Sequence, residues 1–190
     1  MTAVALADVE TADPSLPIGA PGPAFDGLLG TDGRRHGVAD LAGPAGLVIV
    51  FSSNRCPTAK AYDGRLAALR HDYADRGVGL VAINANDPHL YPDESFDRMV
   101  ERAADGDFTF PYVVDASQAV AKACGATCTF HVYFFDGEHR LRYRGRFDDS
   151  RFPERASSHD LRDAIDDVLA GRDVARPTTR PFGCSLDYVS

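Results

Sequence analysis

Lysine is almost missing from this 190-residue chain: of its 20 basic residues, only Lys60 and Lys122 are lysines. The skew toward arginine looks like the codon bias of a GC-rich genome and carries no functional signal. A surplus of positive charge is missing too. Net charge is −8 and the pI is near 5.1, which leaves no basic stripe for nucleic acid. No apolar run reaches membrane-spanning length, so no membrane partner is expected. The opening MTAVALADVETADPSLP has no basic start followed by an apolar core, so no secretory leader is expected and a cytoplasmic address follows.

Cysteine is scarce, and stable structural disulfides are uncommon in such a compartment. Cys56, Cys124, Cys128 and Cys184 are therefore read as free, catalytic or buried. The chain has no internal repeat, no phosphate-cradling glycine loop and no dinucleotide fingerprint, and its six histidines lie near no serine nucleophile motif. No cofactor is called for.

What is present suits one α/β domain. A hydrophobic content of 44% and a charged content of 25% are ordinary globular values. Residues 1–16 read as a loose lead-in, 17–172 as the domain, and 173–190 as an aperiodic tail carrying Cys184. AFDGLLGTDGRRHGVADL reads as a β-hairpin turning at TDG. LVIVF and VGLVAINA are apolar runs of strand length, expected to be covered on both faces. Tyr62, Leu66, Leu69 and Tyr73 recur at helical spacing, with Gly77 as the stop. PDESFDRMVERAA reads as a helix opened by acids, PYVVD as a short strand, and QAVAKAC as a helix halted by Gly125. HVYFFDGEHRLRYRGR predicts a second hairpin. Ser157 and Asp160 suggest a capping-box start for a last helix ending at Gly171. The order implies a central mixed sheet with helices on both faces.

Cys56 stands where a strand hands over to a helix, with Pro57 suited to the first helical position. Unpaired N–H groups there favour thiolate over thiol, and the thiolate is the nucleophile. Arg55 adds positive charge nearby, and Lys60 is a second candidate. Cysteine also serves as a small buried hydrophobe; this placement favours the reactive role.

Several ordered motifs carry a resemblance: NRCPTAK, AINANDPHLYPDES, QAVAKACGATCTF, YRGRFDDS and GCSL, over about residues 17–187. Together they resemble the thioredoxin superfamily, and more closely its bacterial peroxiredoxin-like, AhpC/TSA (redoxin) type. The resemblance implies a thioredoxin-like fold and thiol redox chemistry centred on Cys56. Peroxiredoxins use a P-x-x-x-T-x-x-C segment, whereas Ile49 and Ser53 stand at those places here. Cys56 thus resembles the attacking cysteine of thioredoxin more than a peroxide-binding one.

Two departures from that pattern matter. Ala59 occupies the place of the second cysteine, so no local disulfide can close. Phe130 follows Cys128 and Thr129 where the family has a cis-proline, and a trans peptide is expected there. In the resembling fold that loop is the platform for a disulfide substrate, and a bulky Phe130 is expected to reshape or close the groove.

Cys184 and Cys128 are equal candidates to resolve Cys56, and Cys124 reads as core. Asn54, Arg55, Pro57, Thr129 and Phe130 are the candidate substrate-binding residues. Asn84, Asn86 and Asp87 read mainly as turn formers, and Arg146, Asp148 and Asp149 as a bracing ion pair. Cys56, Cys128, His131 and Cys184 include soft ligands, yet no close pair has zinc-finger spacing, so no metal is assigned.

The leading expectation is a thiol redox protein acting on a disulfide, a peroxide or a small-molecule substrate, resolved by Cys184, Cys128 or an external thiol reductant. The alternatives are a fold repurposed for non-redox chemistry on a small metabolite, and a redox-silent binding module. The oligomeric state is left open, a dimer included.

Overall fold

The computed structural model describes residues 15–105 and 108–189; most of the lead-in expected over 1–16 lies outside the described residues. The first hairpin forms as read, with β1 (Leu28–Gly30) antiparallel to β2 (Arg35–His36). A short helix that the sequence pattern did not announce, α1 (Val38–Leu41), follows it. β3 (Gly46–Ser52) and β4 (Val78–Asn84) are buried at every position and pair in parallel. Continuous apolar runs are what strands covered on both faces require. β5 (Tyr112–Val114) is parallel to β4, and β6 (Val132–Asp136) runs antiparallel to β3 and to β7 (Leu141–Gly145).

The result is one seven-stranded mixed sheet in the order β2-β1-β5-β4-β3-β6-β7. Alternate side chains of β3 feed two cores: Val48 and Val50 on one face, Leu47, Ile49 and Phe51 on the other. The active-site helices, the helix after β4 and the last helix cover the first face. α1 and α5 (Ala119–Cys124), stopped by the left-handed Gly125, cover the second. This is the α/β architecture that the element order implied.

Three local readings need correction. The helix after Cys56 is broken into α2 (Pro57–Ala61) and α3 (Asp63–Ala74). At the break, the Tyr62 ring is stacked on Phe130 at 4.4 Å, and its hydroxyl donates to Asp148 at 2.5 Å. Tyr62, Leu66, Leu69 and Tyr73 still form one buried stripe. Next, the acids of PDES do not open the following helix. Pro92–Glu94 is a separate 3₁₀ turn, and α4 (Phe96–Asp105) begins only after Ser95.

Last, α6 (Asp160–Leu169) has no capping box. Ser157 donates its N–H and hydroxyl to Asp149, while Asp160 accepts from Arg146 and Ser158. Arg146 therefore pairs with Asp160, and the buried Asp148 pairs with Arg65. No helix among the described residues is long and apolar enough to cross a membrane.

The tail has no periodicity because it makes no regular element. Its backbone instead bridges Thr178 to Arg144 of β7 and Ser185 to Cys128 in the loop before β6. Leu186 is buried, and the Tyr188 hydroxyl donates to the Ala126 carbonyl at 2.6 Å.

Candidate active site

The loop between β3 and α2 is held by a buried acid. Glu94 is only 3% exposed. It accepts from the Ser53 hydroxyl, from the Asn54 N–H at 2.8 Å and from the Asn84 amide at 2.9 Å. Ser53 in turn accepts from the Arg55 and Cys56 N–H groups at 3.1 and 3.0 Å. Arg102 donates to the Ser53 carbonyl at 2.6 Å. Burying these polar groups costs free energy unless they are paired, as the Glu94 carboxylate, the Ser53 hydroxyl and the Asn54, Arg55 and Cys56 N–H groups are here. The loop is thereby fixed, with Cys56 as the N-cap of α2 and Pro57 at its first position.

Cys56 is 1% exposed. Burial alone would push its thiol up. Hydrogen bonds from the Cys184 thiol, the Thr129 hydroxyl and the Ala59 and Cys184 N–H groups more than offset that and hold it below the ordinary cysteine value. The Ala59 N–H belongs to the first turn of α2, the unpaired set that the sequence pointed to. Arg55 does not aim at this sulfur. Its guanidinium lies over the Tyr91 ring, 4.1 Å from the centroid, and its charge acts on Cys184. Burial and the proximity of Cys56 push the Cys184 thiol upward.

The tail brings Cys184 to this position through main-chain pairing. Thr129 N–H donates to the Cys184 carbonyl at 2.7 Å, and Leu186 N–H to the Thr127 carbonyl at 3.4 Å. The Thr129 hydroxyl also lies 3.2 Å from the Cys184 carbonyl, so its one proton chooses between that oxygen and the Cys56 sulfur. A cavity of about 380 Å³ opens beside the two thiols, walled by Arg55, Asn86, Tyr91, Thr129 and Asp187. Tyr91 donates its hydroxyl to Asp187 at 2.7 Å.

The structure thus brings together Cys56, Cys184, Thr129, Arg55 and Pro57. It places two of the candidate substrate-binding residues elsewhere. Asn54 donates its amide to the Asp93 carbonyl and accepts from the Tyr112 hydroxyl, so it braces the loop. Phe130 is 1% exposed and packs in a cluster of three rings with Tyr62 and Phe147. Its peptide is trans, and its φ of 68° is unusual for a bulky residue. The Phe130 N–H bond to the Phe51 carbonyl at 3.1 Å and the Tyr62 stack hold it there.

Cys128 is half-buried; burial and the nearby Cys56 push it up to about 11. Cys124 is core, pushed up by burial to about 12. Glu94, Tyr91 and Asp187 escaped the sequence reading. The only signal was that Glu94 and Tyr91 fall in the quoted YPDES motif. Among the described residues no group of three His, Cys, Asp or Glu side chains is arranged to hold a metal.

The Redoxin family profile matches residues 17–161. This chain belongs to the Redoxin family. Two solved structures cover nearly the whole Redoxin chain. An uncharacterized conserved protein from Geobacillus kaustophilus is 37% identical with a TM-score of 0.84, covering 91% of this chain and 93% of that one. A hypothetical protein from Sinorhizobium meliloti 1021 is 36% identical with a TM-score of 0.83, covering 93% and 97%. A peroxidoxin from Mycobacterium tuberculosis, 17% identical with a TM-score of 0.59 over 84% and 97%, shares the fold. Comparison with curated proteins gives no match. Family membership and fold agree with thiol redox chemistry as the general class.

Proposed function

We propose that this Redoxin-family chain is an intrachain two-cysteine redox enzyme that reduces a small hydroperoxide. Cys56 is its nucleophile and Cys184 its resolving thiol. The observation that carries the reading is the main-chain pairing of the tail with residues 127–129, which seats Cys184 beside Cys56 on the wall of one cavity, with the Cys56 thiol lowered. The Cys56 thiolate attacks one peroxide oxygen; the O–O bond breaks, the alcohol leaves with a proton, and Cys56 becomes a sulfenic acid. The Cys184 sulfur then attacks the Cys56 sulfur, forming the disulfide and releasing water. Two thiols are oxidised and one peroxide bond is reduced.

A small electrophile suits the geometry. With 1% of Cys56 exposed and Cys184 against it, in-line attack on a bulky disulfide would have to displace the tail. The second reading is plain thiol–disulfide exchange, favoured by Ile49 and Ser53 standing in place of the peroxiredoxin proline and threonine. Both readings use the same two sulfurs.

Mass mapping after one equivalent of peroxide tests the reading. The expected product is a Cys56–Cys184 disulfide, with a sulfenic acid on Cys56 when Cys184 is replaced by serine. Disulfides of Cys56 with Cys128, or no oxidation of Cys56 at all, would overturn it.

A further inference from the structure

We propose that the oxidised couple is recharged by a low-molecular-weight thiol of amino-acid type, which enters the 380 Å³ cavity and attacks Cys184. The inference rests on the Cys56–Cys184 couple proposed above. It concerns what the couple reacts with next and at which sulfur.

Three observations point the same way. First, the loop that an extended protein partner would pair with is already taken. The Thr129 N–H and the Thr127 carbonyl are bonded to the tail, and Cys128 bridges Ser185. A protein dithiol approaching as a strand finds no free main-chain edge there.

Second, the two sulfurs are unequal in access. Cys184 is exposed and Cys56 is buried. Thiol–disulfide exchange needs the attacking sulfur to approach along the S–S axis; both sulfurs line the cavity, but Cys184 is the exposed one and so offers the open end.

Third, the cavity is sized and charged for a small zwitterion. Sites for small ligands run from roughly 300 to 1,000 Å³. Arg55 supplies a guanidinium fixed against Tyr91, suited to a carboxylate. Asp187, steadied by the Tyr91 hydroxyl, supplies a carboxylate suited to an ammonium group. The sequence alone gave no reason to group these three residues.

The chemistry balances. The small thiolate attacks the Cys184 sulfur, a new S–S bond forms between them, and the Cys56–Cys184 bond breaks. Cys56 departs with the electron pair, as a thiolate still held by the Thr129 hydroxyl and the Ala59 and Cys184 N–H groups, the Cys184 thiol proton being absent in the mixed disulfide. A low-pKa thiol is the faster leaving group, so access and departure favour the same direction. A second small thiol then attacks the mixed disulfide, releasing the small disulfide and leaving Cys184 to take a proton.

The experiment starts from chain oxidised to the disulfide, with L-cysteine, 2-mercaptoethanol and reduced thioredoxin as the probes. After a brief reaction and acid quench, mass mapping is expected to find the cysteine adduct on Cys184 and none on Cys56. At equal thiolate concentration L-cysteine should outrun 2-mercaptoethanol by about tenfold, and in Arg55→Gln the ratio of the two rates, each measured on the same variant, should fall to about one. An adduct on Cys56, faster reduction by thioredoxin than by L-cysteine, or an Arg55→Gln chain that still prefers L-cysteine would each overturn the proposal. Failure to form the starting disulfide would overturn the couple itself, and this inference with it.

Discussion

Replacing Gly183 by alanine tests how the tail is seated. A Cβ built on Gly183 would sit 1.5 Å from the Thr129 carbonyl oxygen and 2.6 Å from its carbon. Both are backbone atoms, so no side-chain rotation relieves the clash, and the tail must lift. Lifting breaks the Thr129 N–H and hydroxyl bonds to the Cys184 carbonyl and the Leu186 N–H bond to the Thr127 carbonyl. At about 1 kcal/mol net for each bond, the docked tail loses about 3 kcal/mol. That corresponds to a roughly 100-fold shift toward the open tail.

The assay is labelling by a bulky maleimide, mapped by mass spectrometry. In the parent chain Cys56 is covered and should label slowly; in Gly183→Ala its rate should rise by up to roughly 100-fold, with the melting temperature of the core little changed. Gly64→Ala is the control, because its new Cβ meets nothing within 4 Å. Equal Cys56 labelling in the parent and Gly183→Ala chains would refute the claim that main-chain pairing of the tail covers the thiol.

Further substitutions probe the surrounding contacts. Cys184→Ala removes hydrogen bonding to the Cys56 sulfur, so the pH midpoint of Cys56 alkylation by iodoacetamide should move up. In the parent chain that reaction falls away only as pH drops through the lowered Cys56 value; an unchanged midpoint in the variant would count against the thiol pair. Glu94→Gln turns an acceptor of four donors into a group with its own NH₂ facing them, and should cost about 1–3 kcal/mol in urea unfolding. Phe130→Pro should destabilise by about 3 kcal/mol or more, because φ of 68° is closed to proline, the N–H bond to Phe51 is lost and the Tyr62 stack goes. A melting temperature equal to that of the parent would show that the loop refolds around the family's residue.

The strands and helix stripes were legible because each imposes a period on its own residues. β3 and β4 announce themselves as unbroken apolar runs, and Leu66, Leu69 and Tyr73 as one helical face. Cys56 was legible from its place between a strand and Pro57. The position of Cys184 beside Cys56 was not, since it depends on where an aperiodic tail crosses the 127–129 loop. Glu94 was hidden for another reason. An acid in a Pro-Asp-Glu run looks like a solvated turn, and only the converging donors of Ser53, Asn54 and Asn84 make its burial affordable. Phe130 was noticed as a departure, but its role beneath Tyr62 arises from the tertiary stack.

Because residues 183–186 complete the pocket, the site matures in the order of synthesis. Every strand of the sheet and Cys56 itself precede Cys184 in the chain, so all of them are synthesised before it. Until then Cys56 lacks both its cover and two of its hydrogen-bond donors. Its sulfur is covered last, by the segment translated last among those that touch it.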